Sequence, residues 1–409
     1  MRVAYIVSRF PKLTETFVLY ELIALEAMGG GVEVDLYPLL RERQPVAHPE
    51  AERWTLRARF HPFVSIRILR AQLHYLVRRP LAYMALLPEL LWRTWGSLNF
   101  MAGAVAYFPK AVRFAYEMER DGVRHVHAHF CNHPAMVAFI VNRLAGIPYS
   151  FTAHGSDLHV ERRMLDAKVE ASAFAVTISR FNREVMLESC GAQAADRIHI
   201  VRCGVDLDAF TVGDRIPAGP CRILCVASFE EVKGHRHLLA ACSILKERGV
   251  DFICDLAGEG PLRGEMEAMI VSYGLSERVR VLGGQPRPEV IRLFQEADIA
   301  VLPSQPTRQG KREGIPVVLM EAMASGLPVV STVLSGIPEL VADGQTGLLV
   351  QPADPLALAD ALDRLASDPE LRSRMGAAGR LKVEAEYDLH RNTATLVQLI
   401  LGKDPGMRP

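Results

Sequence analysis

The chain has 409 residues, 49% hydrophobic and 23% charged, a composition that excludes wholesale disorder and collagen-like repeats. Forty-seven basic residues balance forty-seven acidic ones, so net charge points neither to nucleic acid nor to anionic lipid. The seven scattered cysteines (Cys131, Cys190, Cys203, Cys221, Cys225, Cys242 and Cys254) have no Cys-x-x-Cys spacing, which argues against a disulfide frame or zinc ribbon.

Residues 2–8 are apolar and β-branched, the pattern of a buried parallel strand. After a turn at Arg9-Phe-Pro-Lys12, hydroxyls at Thr14 and Thr16 open a helix that Gly29-Gly-Gly31 ends, and an N-cap role fits one of the two. Residues 32–37 read as the next strand, completing a βαβ unit. Further strands are expected at 125–130, 149–152, 174–178 and 198–201. The alternation restarts after a Gly/Pro-containing stretch that ends at Pro220, with strands at 222–227, 251–257, 279–282, 299–302 and 329–332. Such a restart predicts two doubly wound α/β domains rather than one large sheet. They are placed at residues 1–205 and 206–385, with residues 386–409 a C-terminal helix and tail returning to the first domain.

Residues 53–124 break this rhythm and read as a helical insertion. They hold twelve Arg or Lys against four acids, and all three tryptophans, Trp54, Trp92 and Trp95. Basic residues beside tryptophan and aliphatics are what an interfacial helix uses to lie on an anionic membrane; arginines that are merely solvated are the plainer alternative. The longest suspicious stretch, residues 94–109, has no charges but is shorter than the roughly 20 apolar residues a span needs. The opening residues lack a signal-peptide pattern, so a cytoplasmic protein, peripheral at the inner face of the plasma membrane, is expected.

Two doubly wound domains predict a cleft where the carboxyl ends of their sheets converge. The richest string there is Arg312-Glu-Gly-Ile-Pro-Val-Val-Leu-Met-Glu321, after the strand at 299–302. Pro316 suits a first helical turn, so Glu313 and Gly314 precede the helix, and Glu321 falls two turns on, near the same face. Gly314, Ile315, Pro316 and Val317 then form a helix N-terminus, where unpaired N–H groups and the dipole favour a phosphate. Carboxylates flanking it accept hydrogen bonds from diols. Phosphate and diols together describe a nucleotide-sugar.

Glu313-x7-Glu321, with Gly314, Pro316, Ala322-Met-Ala, Gly326 and Pro328-Val-Val, resembles the signature of family 4 glycosyltransferases, which adopt the GT-B fold. Ser335-Gly-Ile-Pro-Glu-Leu-Val, Val232-Lys-Gly-His, Ala257-Gly-Glu-Gly-Pro-Leu-Arg263 and Cys203-Gly-Val-Asp206 continue the resemblance over nearly the whole chain. His127-Ala-His-Phe130, Thr152-Ala-His-Gly-Ser-Asp157 and residues 7–17 are similar to the branch that builds bacterial exopolysaccharides such as colanic acid.

The resemblance implies two facing Rossmann-like domains, the first binding acceptor and the second donor, and a retaining hexosyl transfer without metal or cofactor. Glu313 would hold hexose hydroxyls, Glu321 the ribose, and Lys233 the departing diphosphate. His154 would lie against the transferred sugar, with Asp157 three residues on, and Thr14 and Thr16 near the sugar-phosphate. Gly258 belongs to the donor side. Where the family often carries an arginine five residues before the lysine, this chain has Ser228, for which Arg308, Lys311 or Arg312 would compensate. The implied partners are a nucleotide-sugar, a glycan or lipid-linked oligosaccharide acceptor and an anionic membrane surface, with no nucleic acid. The run His125-Val-His-Ala-His-Phe-Cys-Asn-His133 invites a metal, but no carboxylate is expected beside it. Two rivals remain: a nucleotide-sugar epimerase on the same fold, and a non-catalytic nucleotide- or carbohydrate-binding protein.

Overall fold

The computed structural model describes residues 1–12, 15–29, 31–42, 49–213 and 219–403. Thr14 lies outside them. The chain divides into two units, residues 1–201 with the segment from residue 393 on, and residues 202–392. The division falls just ahead of the Gly/Pro-containing stretch.

The first unit holds a parallel sheet of β1 (Arg2–Phe10), β2 (Glu33–Arg41), β3 (His125–His129), β4 (Tyr149–Ala153), β5 (Phe174–Thr177) and β6 (Ile198–Ile200), in the order β2-β1-β3-β4-β5-β6. Successive side chains of β1 leave for opposite faces: Val3, Tyr5 and Val7 join one core, Ala4 and Ile6 the other. A central parallel strand covered on both sides is therefore apolar without alternation. β2 runs further than the sequence reading, through Pro38 to Arg41, because an edge strand tolerates a residue without an N–H. From β1 the chain moves to β2 on one side, and β3 lies on the other. That reversal opens a crevice at the carboxyl ends of β1 and β3.

Four helices fill the insertion: Pro49–Arg57, Ile66–Arg78, Pro80–Arg93 and Leu98–Arg120. The tryptophans separate. Trp54 is buried in the core beside Val3 and Tyr5, contrary to its grouping with interfacial residues, whereas Trp92 and Trp95 are 74% and 72% exposed. The helix Ile66–Arg78 buries Ile68, Ala71 and Tyr75, one stripe at helical spacing. Its remaining apolar residues, Ile66, Leu69, Leu73, Leu76 and Val77, are exposed alongside Arg67, Arg70 and Arg78. Among the described residues, no helix is long and apolar enough to cross a membrane.

The second unit repeats the plan with β7 (Cys221–Val226), β8 (Phe252–Ala257), β9 (Val279–Gly283), β10 (Ile299–Leu302), β11 (Val329–Thr332) and β12 (Gly347–Val350), ordered β12-β11-β10-β7-β8-β9. Here the reversal lies between β7 and β10. The helices Pro355–Ser367 and Pro369–Glu386 follow, and then Leu389–Ile400, whose Leu396 and Ile400 pack in the first unit's core.

Candidate active site

In the first unit the candidate residues gather at the carboxyl ends of β1, β3 and β4. His125, His127 and His129 alternate along β3 and are all buried, facing hydroxyls of β4. Ser150 Oγ lies 2.7 Å from His125 Nε2 and 2.8 Å from His127 Nδ1, and Thr152 Oγ1 lies 3.0 Å from His127 Nε2. The expectation that no carboxylate lies nearby is overturned. Glu21, from the helix Thr16–Ala27, brings Oε1 to 3.2 Å from His129 Nε2. Its ligand atom and those of His127 and His129 fall within 4.8 Å of one another, although both His127 nitrogens are already engaged by hydroxyls.

His154 follows β4, its ring 4.4 Å from that of Phe17 and 4.9 Å from that of Phe130. His154 Nε2 lies 3.1 Å from His129 Nδ1. Burial first, and then the neighbouring His129, hold His154 well below the usual histidine range, so it is neutral near pH 7. Burial likewise pushes His125 down to about 4.

Asp157 departs from its expected role. One oxygen accepts the N–H groups of His154 (3.1 Å) and Gly155 (2.8 Å), and the other that of Cys131 (2.7 Å). It braces the loop carrying His154 and offers substrate no unengaged oxygen. Thr16 is also not a cap. The helix begins at Thr16 itself behind Glu15, whose carboxylate pairs with Lys12 at 2.6 Å instead of a helix N–H.

In the second unit the donor-side residues meet at the β7–β10 reversal. Lys233 ends a short 3-10 turn, Glu231–Lys233, after β7, and Glu313 lies on the loop after β10. Lys233 Nζ and Glu313 Oε1 are 2.8 Å apart, with the side chains 20% and 16% exposed. Gly234 makes this approach feasible. It has φ +72°, and a Cβ there would come within 1.9 Å of the Pro303 carbonyl oxygen. Gln305 ties the two loops, its N–H donating to Val232 O and its side-chain amide to Glu231 O, each at 2.9 Å.

Glu313 is not in the helix, which spans Val317–Ala324 with Pro316 as its cap residue. The eight-residue spacing therefore does not put Glu313 and Glu321 on one helical face; the Lys233 ion pair positions Glu313. Among the described residues, the N–H groups of Gly314, Ile315, Val317 and Val318 meet no acceptor, while the Ile315 and Pro316 side chains are buried. Only the backbone of this segment is offered to an anion. Burial raises the Glu321 carboxyl to about 7, opposed by the charge of Arg287.

Ser228 has its hydroxyl 3.4 Å from Glu230, and Lys311 Nζ pairs with the same carboxylate at 2.6 Å. Burial would raise Glu230, but Lys311 overrides it and holds the carboxyl below its ordinary value. Of the three suggested substitutes for the missing arginine, Lys311 is thus the one brought beside Ser228, whereas Arg308 and Arg312 are exposed. Gly258 serves packing: a Cβ there would come within 1.9 Å of the Ala227 carbonyl oxygen, closing the β7 and β8 ends.

Residues 212–382 match the family model described as Glycosyl transferases group 1. This segment is similar to the group 1 glycosyltransferases. The chain is 39% identical over 207 residues to the amylovoran biosynthesis glycosyltransferase AmsK of Erwinia amylovora, covering 50% of this chain and 51% of that protein. It is also 39% identical over 210 residues to the provisionally named colanic acid biosynthesis glycosyltransferase WcaL of Escherichia coli (strain K12), covering 50% and 52%. Its matches thus span about half the length of these curated relatives. A glycosyltransferase from Rickettsia africae superposes with a TM-score of 0.71 at 16% identity, over 98% of this chain and 99% of that one. Anabaena Alr3699/HepE, solved in complex with UDP, superposes at 0.73 and 14% identity, over 98% and 100%. The chain has the GT-B fold.

Proposed function

We propose that this protein is a retaining hexosyltransferase acting on a nucleoside-diphosphate sugar. Its acceptor is a membrane-associated glycan or polyprenyl-linked oligosaccharide in cell-surface polysaccharide synthesis. The observation that carries this reading is the half-buried Lys233–Glu313 pair at the β7–β10 reversal, beside the unpaired N–H groups of residues 314–318. A fixed cation next to an anion-binding helix start suits a diphosphate, and a fixed carboxylate suits sugar hydroxyls.

The ion pair acts as a placeholder. When donor binds, the diphosphate takes Lys233 and the hexose hydroxyls take Glu313. The acceptor hydroxyl attacks the anomeric carbon, the bond from that carbon to the phosphate oxygen breaks on the same face, and the hydroxyl proton passes to the departing phosphate. Lys233 stabilises the charge that grows there. Half-buried Glu321 accepts from the ribose. The names of AmsK and WcaL support the polysaccharide context, and the UDP bound by HepE supports a nucleotide donor.

The exposed face of the insertion supports the membrane acceptor. Leu81 (86%), Leu98 (87%), Trp92 and Trp95 stand out beside a helix that bears Arg67, Arg70 and Arg78. Wedges of this kind enter the headgroup region while arginines meet anionic lipid.

The test is donor turnover with a lipid-linked acceptor, in the wild type and in Glu313→Ala and Lys233→Ala. Transfer that disappears in both variants supports the reading. Consumption of donor without acceptor would favour an epimerase, and nucleotide binding without turnover a binding protein.

A further inference from the structure

The β7–β10 reversal of the second unit carries a second ion pair, and the two pairs are crossed. The loop after β7 supplies Glu230 and Lys233, and the loop after β10 supplies Lys311 and Glu313. Lys233 reaches across to Glu313 at 2.8 Å, and Lys311 reaches back to Glu230 at 2.6 Å. Each loop thus gives the other one cation and one carboxylate.

The second pair is not needed to join the loops or to hold their backbones. Gln305 already ties them through Val232 O and Glu231 O, and its side-chain oxygen lies 2.7 Å from His237 Nε2. Thr307 closes a turn on Lys311: its Oγ1 accepts the Lys311 N–H at 3.1 Å, and its own N–H donates to the Lys311 carbonyl at 2.9 Å. Gly310, at φ +82°, lets the chain reverse between them. On the other loop the Lys233 N–H donates to the Glu230 carbonyl at 3.1 Å, so these two belong to one turn. The Glu230 carboxylate faces both cations. Burial alone would raise it, but Lys311 and then the charge of Lys233 hold it below its ordinary value.

Exposure separates the two pairs. The Lys311 and Glu230 side chains are 41% and 39% exposed, about twice the values for Lys233 and Glu313. An ion pair so open to water contributes little, so an anion arriving from solvent takes Lys311 at small cost. Glu230 then keeps the Ser228 hydroxyl, at 3.4 Å, and water. A single phosphoryl group can engage one such ammonium closely; two linked phosphoryl groups can engage two.

We propose that Lys311 is a second diphosphate-binding residue, held in reserve by Glu230, and that together with Lys233 it makes the site select a nucleoside diphosphate over a monophosphate. The inference rests on the donor site proposed above and adds which further side chain grips the diphosphate. Glu230 is its counterpart for release: as the product leaves, the carboxylate recaptures the lysine.

The experiment is titration calorimetry of the full chain in about 0.15 M salt, where well-separated surface charges are largely screened. UDP, GDP, dTDP, ADP and CDP are titrated first, and the one that binds the wild type is compared with its own monophosphate in each variant. Glu230→Gln should tighten the diphosphate roughly two- to fivefold, the scale of an exposed ion pair that no longer competes. Lys311→Ala should weaken the diphosphate on the order of tenfold and the monophosphate by less than about threefold. Melting temperatures should stay close to the wild type, because both side chains are partly exposed. The deciding comparison is Glu230→Gln against Glu230→Gln/Lys311→Ala. Neither protein carries the Glu230 charge, so a difference on the order of tenfold reports Lys311 itself and not an unmasked carboxylate. Equal diphosphate affinity in these two would overturn the proposal. So would weaker diphosphate binding by Glu230→Gln, the sign expected of a simple latch between the loops. Equal losses of the two nucleotides in Lys311→Ala would overturn the selectivity. Diphosphate binding that is lost in Lys233→Ala but equal in the two Glu230→Gln proteins would leave the donor site standing and remove Lys311 from it. No diphosphate binding by the wild type would overturn both.

Discussion

If the Lys233–Glu313 pair is a placeholder, removing its negative member should make the protein bind free nucleoside diphosphate more tightly while disabling transfer. Glu313→Gln preserves shape and hydrogen-bonding atoms and deletes the charge. At 2.8 Å the raw attraction in the wild type is about 6 kcal/mol at an effective dielectric near 20. Solvent returns much of this, because both side chains keep partial exposure, 20% and 16%. Exposed pairs are worth under about 1 kcal/mol and fully buried ones about 3–5 when broken, so about 1–2 kcal/mol is the net release. That corresponds to roughly a 5- to 30-fold fall in Kd. The diphosphate alone gains this, since it needs Lys233 but makes no use of Glu313. Turnover should move oppositely, falling about 100-fold or more with the loss of a preorganised charge at the reacting sugar. Calorimetric titration with UDP and a steady-state transfer assay measure both quantities. A Kd that is unchanged or weaker in Glu313→Gln would refute the placeholder.

Three further outcomes are expected. Glu321 titrates near 7 in the folded protein, above its ordinary 4.5, because burial penalises its charge; the native state then binds more protons than the unfolded one between those values, and stability falls as pH rises through that window. Glu321→Gln should therefore raise the melting temperature more at pH 8 than at pH 4, and an equal shift at both would contradict the burial argument. Gly234→Ala, at φ +72° and facing the Pro303 carbonyl, should destabilise by about 1–3 kcal/mol in denaturant melts and weaken UDP binding; a neutral substitution would show the lysine turn to be less constrained. Replacing Arg67, Arg70 and Arg78 with glutamate should release the protein from vesicles containing phosphatidylglycerol, with little change in melting temperature because all three are exposed. Retained vesicle binding would favour a solvated helical insertion.

The doubly wound pattern was legible because parallel strands such as residues 3–7 and 299–302 are short apolar runs bounded by turns, a local property of the chain. The segment around Glu313 and Gly314 was legible for a related reason: glycine, proline and a carboxylate at a helix start have few other joint uses. What was not legible depended on distant partners. Glu21 reads as one more helical glutamate until the neighbouring β1 and β3 carry it to His129, 108 positions away. Trp54 reads as interfacial among arginines, yet Arg53 and Arg57 turn outward to Glu26 while the indole enters the core. Asp157 reads as a ligand because it is polar and beside His154. Only the three N–H groups converging on it show that it serves the loop. The spacing of Glu313 and Glu321 suggested a shared helical face, and the cap at Pro316 removes Glu313 from that helix.

The central claim is a nucleoside-diphosphate site anchored by Lys233. The most direct measurement is titration calorimetry of UDP, GDP, dTDP, ADP and CDP, with and without magnesium, against the wild type and Lys233→Ala. Selective binding of one nucleotide, unaffected by magnesium and lost in Lys233→Ala, is the expected result. No binding of any of the five, or equal binding by the wild type and Lys233→Ala, would contradict it.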